Sequence, residues 1–477
     1  MVTTQDDAVL NRNQILIDKN HDCYSWYIYC STTYRQIFVL EFLVSHIIKN
    51  NLFLQKAPSF DVDEVLHFYR SGNYEETLQK ADNLIQKYPG TIALHNVLGI
   101  VFSYRGQVEQ SILHFKQMLK LDPLSTEAYN NLGAVLLDLK RYDEAKALLK
   151  HALKIMPEFA QAHNNLGNIM MEQERYKKAI AHYSRAIQIN DQYFEAYNNL
   201  GVVLNELGDY KGAQAAFESS IQLNSRFAEA HNNLGSCMKL QKKNSNAIRS
   251  FLSAISLNPS FAEAYNNLGE VYKDEGFLEK AIENYKIALS LKPYYNEALS
   301  NLGLAFNKFE VDYFDPELSK LLVNVLENGC VTPRDIATPI LKLVNLDPQL
   351  QRIQKKNLEG EDLPSILSFI QTVNKNPLLL NFMTLCPIND LDWEYLLTTV
   401  RASILFFIFE IEENLEVLTF LESLALQCFT NEYIYSEKKE ETKIIENLEK
   451  LIEKKINDGD MPSSKEILCL GSYRPLS

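Results

Sequence analysis

The sequence has few cysteines, and no two of them form a C-x-x-C pair. The seven cysteines among 477 residues are scattered and odd in number. This argues against a disulfide framework and favours reduced thiols. The spacing of His21, Cys23, Cys30 and His46 matches no closed zinc site. We therefore predict neither disulfides nor a bound metal.

The chain also lacks a long apolar run and an export signal. Residues 37–48 are the most apolar early stretch, but they include Glu41 and His46 and are too short to cross a bilayer. The N-terminal residues MVTTQDDAVLNRN have neither the basic start nor the apolar core of a signal peptide. The sequence thus predicts a cytoplasmic location and no membrane partner.

Basic residues are fewer than acidic residues, and the sequence contains no glycine-rich loop. Lys and Arg number 47 against 61 Asp and Glu, which gives a formal net charge of −14. Clustered cations are needed to contact phosphates, so a nucleic-acid partner is disfavoured. No G-x-G-x-x-G or similar phosphate-binding loop occurs, and no catalytic constellation stands out. We predict that the chain binds no cofactor and is not an enzyme.

What the sequence does contain is a repeat. The tetrapeptide Asn-Asn-Leu-Gly begins at residues 130, 164, 198, 232 and 266, and Ser300–Gly303 is a degenerate copy. The step is 34 residues. We number each unit so that its glycine is position 8, which makes the units begin at 126, 160, 194, 228 and 262. Internal periodicity of this length is typical of solenoid proteins.

Small and large residues alternate at fixed positions of the unit. Position 20 is always alanine, position 27 is alanine or serine, and position 24 is bulky, as in Leu149, Tyr183 and Phe217. Small residues let two helices approach closely, and large ones fill the space between them. This pattern resembles the tetratricopeptide repeat (TPR), a 34-residue helix–turn–helix unit. The resemblance implies an all-α fold, a right-handed superhelix followed by a non-repeat helical region.

The pattern extends beyond the five clearest copies. Weaker units begin near Ser59 and at Ile92, and residues 296–309 supply one more first helix before the period ends. We expect about seven full repeats and a partial eighth. The predicted domains are a non-repeat N-terminal extension (1–58), the repeat array (59–310) and a C-terminal helical region (311–477).

Two columns of asparagine follow the first helix of each unit. Helical periodicity places positions 4, 7, 8 and 11 on the packed face and position 6 on the open stripe, with position 5 at its edge. The position-6 column resembles the asparagine ladder of O-GlcNAc transferases, in which such residues hold extended peptides. That column consists of Asn131, Asn165, Asn199, Asn233, Asn267 and Asn301.

Three interpretations of these asparagines remain open. Asn costs roughly 0.5 kcal/mol relative to Ala within a helix, so stability alone does not favour it. The amides could grip a peptide backbone, because each offers both a donor and an acceptor. They could instead bond one another between repeats, or be copies of a recent duplication without a role. If the amides serve only ligand binding, replacing them with alanine should leave stability unchanged or higher.

Acidic residues share the open stripe. Glu195, Glu229 and Glu263 occupy position 2, and acidic residues recur at position 13, as in Asp138. Helix N-termini also favour glutamate through the helix dipole. We expect Lys and Arg to lie away from this surface, which would favour an extended protein or peptide partner that carries basic residues.

The C-terminal region has a resemblance of its own. Residues 377–405 and 420–441 look like the helical segment that joins TPR arrays to methyltransferase domains in bacterial fusion proteins. Within it, residues 396–410 and 415–429 are predicted to form a buried helix pair, and residues 440–456 an amphipathic helix.

Two functions are consistent with these features. The first is a non-enzymatic TPR scaffold that binds an extended peptide or protein along its Asn- and Glu-lined concave surface. The alternative is the recognition arm of a methyl- or glycosyltransferase whose catalytic domain is missing or separate.

Overall fold

The computed structural model describes residues 56–354, 362–430 and 438–474. The described chain is all-α and contains 24 helices. It divides into two compact units, with the boundary between Gln192 and Tyr193. Nearly all of the N-terminal extension predicted for 1–58, including the four zinc-ligand candidates, lies outside the described residues.

The first unit contains four helix pairs that follow the repeat. Each pair has a first helix and a second helix joined by a short turn. The helices are α1 (Ser59–Arg70), α2 (Tyr74–Lys87), α3 (Ile92–Tyr104), α4 (Val108–Leu121), α5 (Thr126–Asp138), α6 (Tyr142–Ile155), α7 (Ala160–Glu172) and α8 (Tyr176–Ile189).

The second unit continues the same pattern and then departs from it. Its repeat helices are α9 (Phe194–Glu206), α10 (Tyr210–Leu223), α11 (Ala228–Leu240), α12 (Asn244–Leu257), α13 (Ala262–Asp274), α14 (Leu278–Leu291) and α15 (Asn296–Phe306). They are followed by α16 (Pro316–Glu327), α17 (Ala337–Asn345), α18 (Pro348–Gln354), α19 (Leu363–Asn374), α20 (Pro377–Leu385), α21 (Leu391–Phe406), α22 (Leu415–Thr430), α23 (Lys439–Asn457) and α24 (Ser464–Gly471).

The turns of the repeat end each helix at a fixed place. The residue at position 15, between the two helices, has positive φ in every full repeat: Gly72, Gly106, Lys140, Glu174, Gly208, Lys242 and Gly276. This left-handed conformation ends the first helix, and glycine adopts it without steric cost. Between repeats, the side chains of Asn190, Asn224 and Asn258 accept hydrogen bonds from the backbone two residues later, which fixes the turn into the next unit.

The glycine at position 8 is where the two helices of a repeat meet. A Cβ added at Gly201 would lie 2.7 Å from Cε1 of Phe217, which is 1% exposed. Five of the seven full repeats bring an aromatic ring to this place: Phe115, Tyr183, Phe217, Phe251 and Tyr285. Close packing of this kind tolerates no extra volume.

We expect Gly201→Leu to lower the free energy of unfolding by about 1–3 kcal/mol, because the new side chain would overpack the contact with Phe217. Solenoid repeats couple mainly to their neighbours, so hydrogen exchange should accelerate in α9 to α11 and less elsewhere. Ala215→Leu, an exposed position on α10, is the control. A uniform loss of protection across every repeat would contradict this expectation.

The last repeat is completed by a helix that the period does not reveal. A Cβ at Gly303 of α15 would approach Val325 of α16 to 3.1 Å, and also Val331. Helix α16 therefore packs where a second helix belongs, after the longer connection 307–315. From Ala281 to Tyr473 a single hydrophobic core joins the end of the repeats to the C-terminal helices.

The predicted helices near the C-terminus form, but they pack differently from the expected pair. Helix α22 packs mainly against α19, α20 and α24, whereas α21 packs mainly against α23. The amphipathic helix predicted for 440–456 is α23, which buries Ile445 and Leu448.

Candidate functional site

Successive first helices define one face of each unit. In the first unit α1, α3, α5 and α7 contact one another in turn, and in the second unit α9, α11, α13 and α15 do the same. Apart from α14 and α16, successive second helices do not approach one another as closely. The first helices therefore lie on the inner side of each unit, and the asparagine columns run along this side.

The paired asparagines form a hydrogen-bonded ladder between repeats. In the first unit, Nδ2 of Asn131 and of Asn165 donates to Oδ1 of the position-5 residue in the preceding repeat, Asn96 and Asn130, at 2.9 Å in both cases. In the second unit the same bond joins Asn233 to Asn198 and Asn267 to Asn232 at 3.0 Å, and Asn301 to Asn266 at 3.1 Å.

The two columns differ in burial. From Asn130 to Asn266 the position-5 residues are 0–8% exposed, whereas the position-6 residues from Asn131 to Asn267 are half-buried. The expectation that position 5 lies at the edge of the open stripe is wrong, because the neighbouring repeat covers it. At position 6, Asn301 is the exception and is buried at 7% exposed.

The position-6 amides keep hydrogen-bonding capacity beyond the ladder. Within the described residues, no group donates to Oδ1 of Asn165, Asn233 or Asn267. The carbonyl of Asn131 accepts a long bond, of 3.3 Å, from Nδ2 of the preceding residue, Asn130. Each amide nitrogen of Asn233 and Asn267 uses one of its two hydrogens in the ladder. The inner face therefore presents a carbonyl and an N–H at regular intervals.

The glutamates at position 2 have different surroundings. Glu195 is half-buried, and burial raises its pKa above the usual range. Glu229 is exposed. Glu263 pairs with Lys292 at 3.1 Å. Although burial opposes it, hydrogen bonds from the backbone and from Lys292 hold the pKa of Glu263 below its usual value.

Lysines also lie beside the ladder, which corrects the expectation that cations are absent from this face. Lys239 on α11 pairs with Glu270 on α13 at 2.6 Å. Lys273 on α13 donates to Oδ1 of Asn301 at 3.0 Å. In the second unit these lysines offset part of the acidic charge contributed by the glutamates. Sequence reasoning missed them because their partners lie about one repeat away in the chain.

Histidine pairs occupy the packed side of two repeats in the first unit. Nδ1 of His163 lies 3.3 Å from Nδ1 of His182, and Nε2 of His163 lies 3.3 Å from the carbonyl oxygen of Pro157. Burial lowers the pKa of both rings, and nearby cations add to the effect. The pair is therefore neutral near pH 7. Among the described residues no cluster of three or more metal-ligating side chains occurs.

Family models of the tetratricopeptide repeat match the chain in several places. A model described as TPR repeat matches residues 167–208 and 239–276. Two models described as tetratricopeptide repeat match residues 103–169, and residues 194–227 and 262–295. A comparison of the sequence with curated proteins finds no match. Within the described residues no helix is both long and apolar enough to cross a membrane.

Solved structures similar to the chain include other repeat proteins. The TPR protein YrrB, described as having an unusual peptide-binding site, is 25% identical with a TM-score of 0.32, and the match covers 39% of this chain and 95% of YrrB. The APC/C hetero-tetramer Cut9-Hcn1 is 18% identical with a TM-score of 0.47, covering 50% and 48% of the two chains. PilF of Pseudomonas aeruginosa is 22% identical with a TM-score of 0.38, covering 43% and 94%.

The matched residues include four of the five Asn-Asn-Leu-Gly signatures, those that begin at 130, 164, 198 and 266, each with its packed glycine. Residues 103–227 and 239–295 of this chain are therefore tetratricopeptide repeats.

Proposed function

We propose that the repeats form a non-enzymatic scaffold that binds an extended peptide or protein segment along the inner face. The observation that carries this proposal is the half-exposed amide at position 6, whose carbonyl has no donor at Asn165, Asn233 and Asn267. Such an amide can accept a peptide N–H and donate to a peptide C=O without regard to side chains. The resemblance of the position-6 column to the asparagine ladder of O-GlcNAc transferases also supports this proposal.

The spacing of the amides suits an extended chain. Packed helices lie about 8–10 Å apart, and an extended strand rises about 3.3 Å per residue. Successive position-6 amides in one unit would therefore meet every third peptide residue. A ligand with basic residues opposite Glu195 and Glu229 is favoured, although Lys239 and Lys273 limit how acidic the face of the second unit is.

The test compares two double variants of the second unit. Asn233→Ala with Asn267→Ala removes two position-6 amides, and Asn198→Ala with Asn232→Ala removes their ladder partners. Both variants lose the same two inter-repeat hydrogen bonds, but only the first loses the half-exposed amides. The probe is a dodecapeptide selected on the full chain from a phage-displayed library without charged residues.

We expect the first variant to bind the probe at least about tenfold more weakly, because each lost hydrogen bond contributes about 0.5–1.5 kcal/mol. The second variant should stay within about threefold of the wild type. Isothermal titration calorimetry measures the affinities, and circular dichroism checks that each variant is folded. Equal losses in the two variants, or no loss in the first, would refute ligand binding by position 6.

A further inference from the structure

A cleft of about 480 Å³ lies in the second unit. It is bounded by the second helices α12 and α14, by the first helix α13 and by the segment that leads from α15 into α16. Its lining includes buried apolar side chains of Leu268, Ile282 and Leu318. Ligand pockets in proteins typically have volumes of about 300–1,000 Å³ and mostly apolar walls.

Two large apolar side chains at the cleft are open to solvent. Leu252 on α12 is 46% exposed, and Tyr313 in the connection before α16 is 61% exposed. Leu268 and Ile282, which also line the cleft, are by contrast only 2% and 5% exposed. A ligand side chain that enters the cleft would therefore bury apolar surface of Leu252 and Tyr313 that is now in contact with water.

The rim of the cleft is acidic. Nζ of Lys286 lies 2.8 Å from Asp315, so the charge of this lysine is offset within the wall. Glu283 and Glu317 lie farther from Lys286, at 4.0 and 3.7 Å, and their side chains are 65% and 82% exposed. These two carboxylates are therefore still available to an incoming cation.

The remaining charges at the rim do not reverse this balance. Glu279 is exposed on α14, and Lys280 is the one further cation among the lining residues. Nζ of Lys280 lies 5.5 Å from the ring centroid of Tyr272 and 5.3 Å from that of Phe277. An ammonium at this distance from two aromatic rings is held by cation–π attraction. Three exposed carboxylates thus face a single lysine.

We propose that this cleft is a second docking site, which takes a bulky apolar side chain from a short peptide segment with flanking Lys or Arg residues. The apolar side chain would enter between Leu252 and Tyr313, and the basic residues would lie against Glu283 and Glu317. This site does not depend on the ladder, because none of the position-5 or position-6 asparagines lines it.

The test uses nonapeptides selected on the full chain from a phage-displayed library of random sequence. Selection is followed by removal of phage that bind the variant Glu283→Gln with Glu317→Gln. We expect the recovered peptides to combine one Trp, Phe or Leu with at least two basic residues. One recovered peptide, labelled with fluorescein, is then the probe for fluorescence anisotropy.

Four variants separate the contributions of the apolar wall, the acidic rim and the asparagine ladder to binding of the probe. Leu252→Ser should weaken probe binding about tenfold or more, whereas Leu240→Ser, an equally exposed leucine of the same unit, should leave it unchanged. The Glu283→Gln, Glu317→Gln chain should also bind the probe about tenfold more weakly, and its affinity should depend less on salt concentration. The Asn233→Ala, Asn267→Ala chain should bind the probe as the wild type does.

Several outcomes would overturn the proposal. Recovered peptides without basic residues would show that the rim does not select by charge. Equal losses for Leu252→Ser and Leu240→Ser would place binding elsewhere. Loss of binding in the Asn233→Ala, Asn267→Ala chain would assign the peptide to the ladder instead, and failure to recover any peptide would exclude this ligand class.

Discussion

Replacing Asn233, Asn267 and Asn301 together with alanine should lower the free energy of unfolding of the second unit by about 1.5–7.5 kcal/mol. Each substitution removes the donor to a buried position-5 carbonyl. A buried acceptor left without a partner costs about 1–3 kcal/mol. Alanine offsets only about 0.5 kcal/mol at each site through its higher helix propensity.

Helix propensity alone predicts that the triple variant is as stable as the wild type or more stable. The free energy of unfolding therefore distinguishes a stabilising ladder from an effect of helix propensity alone. Urea denaturation followed by circular dichroism gives the free energy of unfolding. Lys211→Ala, Gln222→Ala and Asn296→Ala together change three exposed polar residues of the same unit and should have little effect. A triple asparagine variant as stable as the wild type would show that the ladder bonds contribute nothing net.

Replacing Arg401 with alanine should lower the free energy of unfolding by about 3–5 kcal/mol, the range found when a large buried side chain is truncated to alanine. Arg401 on α21 is 2% exposed. Its guanidinium carbon lies 4.1 Å from the ring centroid of Tyr473, and Nη1 donates to the carbonyl of Ser472 at 3.4 Å. Tyr473 in turn donates to Oε2 of Glu441 at 3.0 Å.

Arg401 therefore joins α21 to the segment after α24, and Tyr473 joins that segment to α23. Its loss leaves a cavity and frees the segment after α24, so hydrogen exchange should accelerate in α21, α23 and α24. Arg401→Lys keeps the charge but lacks the planar group that stacks on an aromatic ring, and it should be destabilised to an intermediate degree. Full stability of Arg401→Ala would mean that Tyr473 and Glu441 hold the segment without it.

The repeat helices could be predicted from the sequence because their packing is local. The glycine at position 8 and the bulky residue at position 24 belong to one 34-residue unit, and both ends of their contact lie within that unit. The half-buried state of position 6 from Asn131 to Asn267 is likewise a local property, since one turn of helix decides which side a residue takes.

The role of position 5 could not be predicted in this way. A single helix places Asn130 and Asn198 near the edge of the open stripe, and only the neighbouring first helix buries them. The one signal in the sequence was that both asparagines recur together, as a donor and an acceptor must. Which of the two is covered depends on the angle between helices that lie a full repeat apart.

The sequence by itself determined the all-helical fold, the 34-residue period and the helix-to-helix contact at position 8, because these follow from helical periodicity and side-chain size within one unit. Only the tertiary structure decided that α16 closes the last repeat, that Lys239 pairs with Glu270, and that the asparagines bond between repeats. These contacts join residues separated by about 20 or more positions, and the orientation of one helix against the next sets their distances.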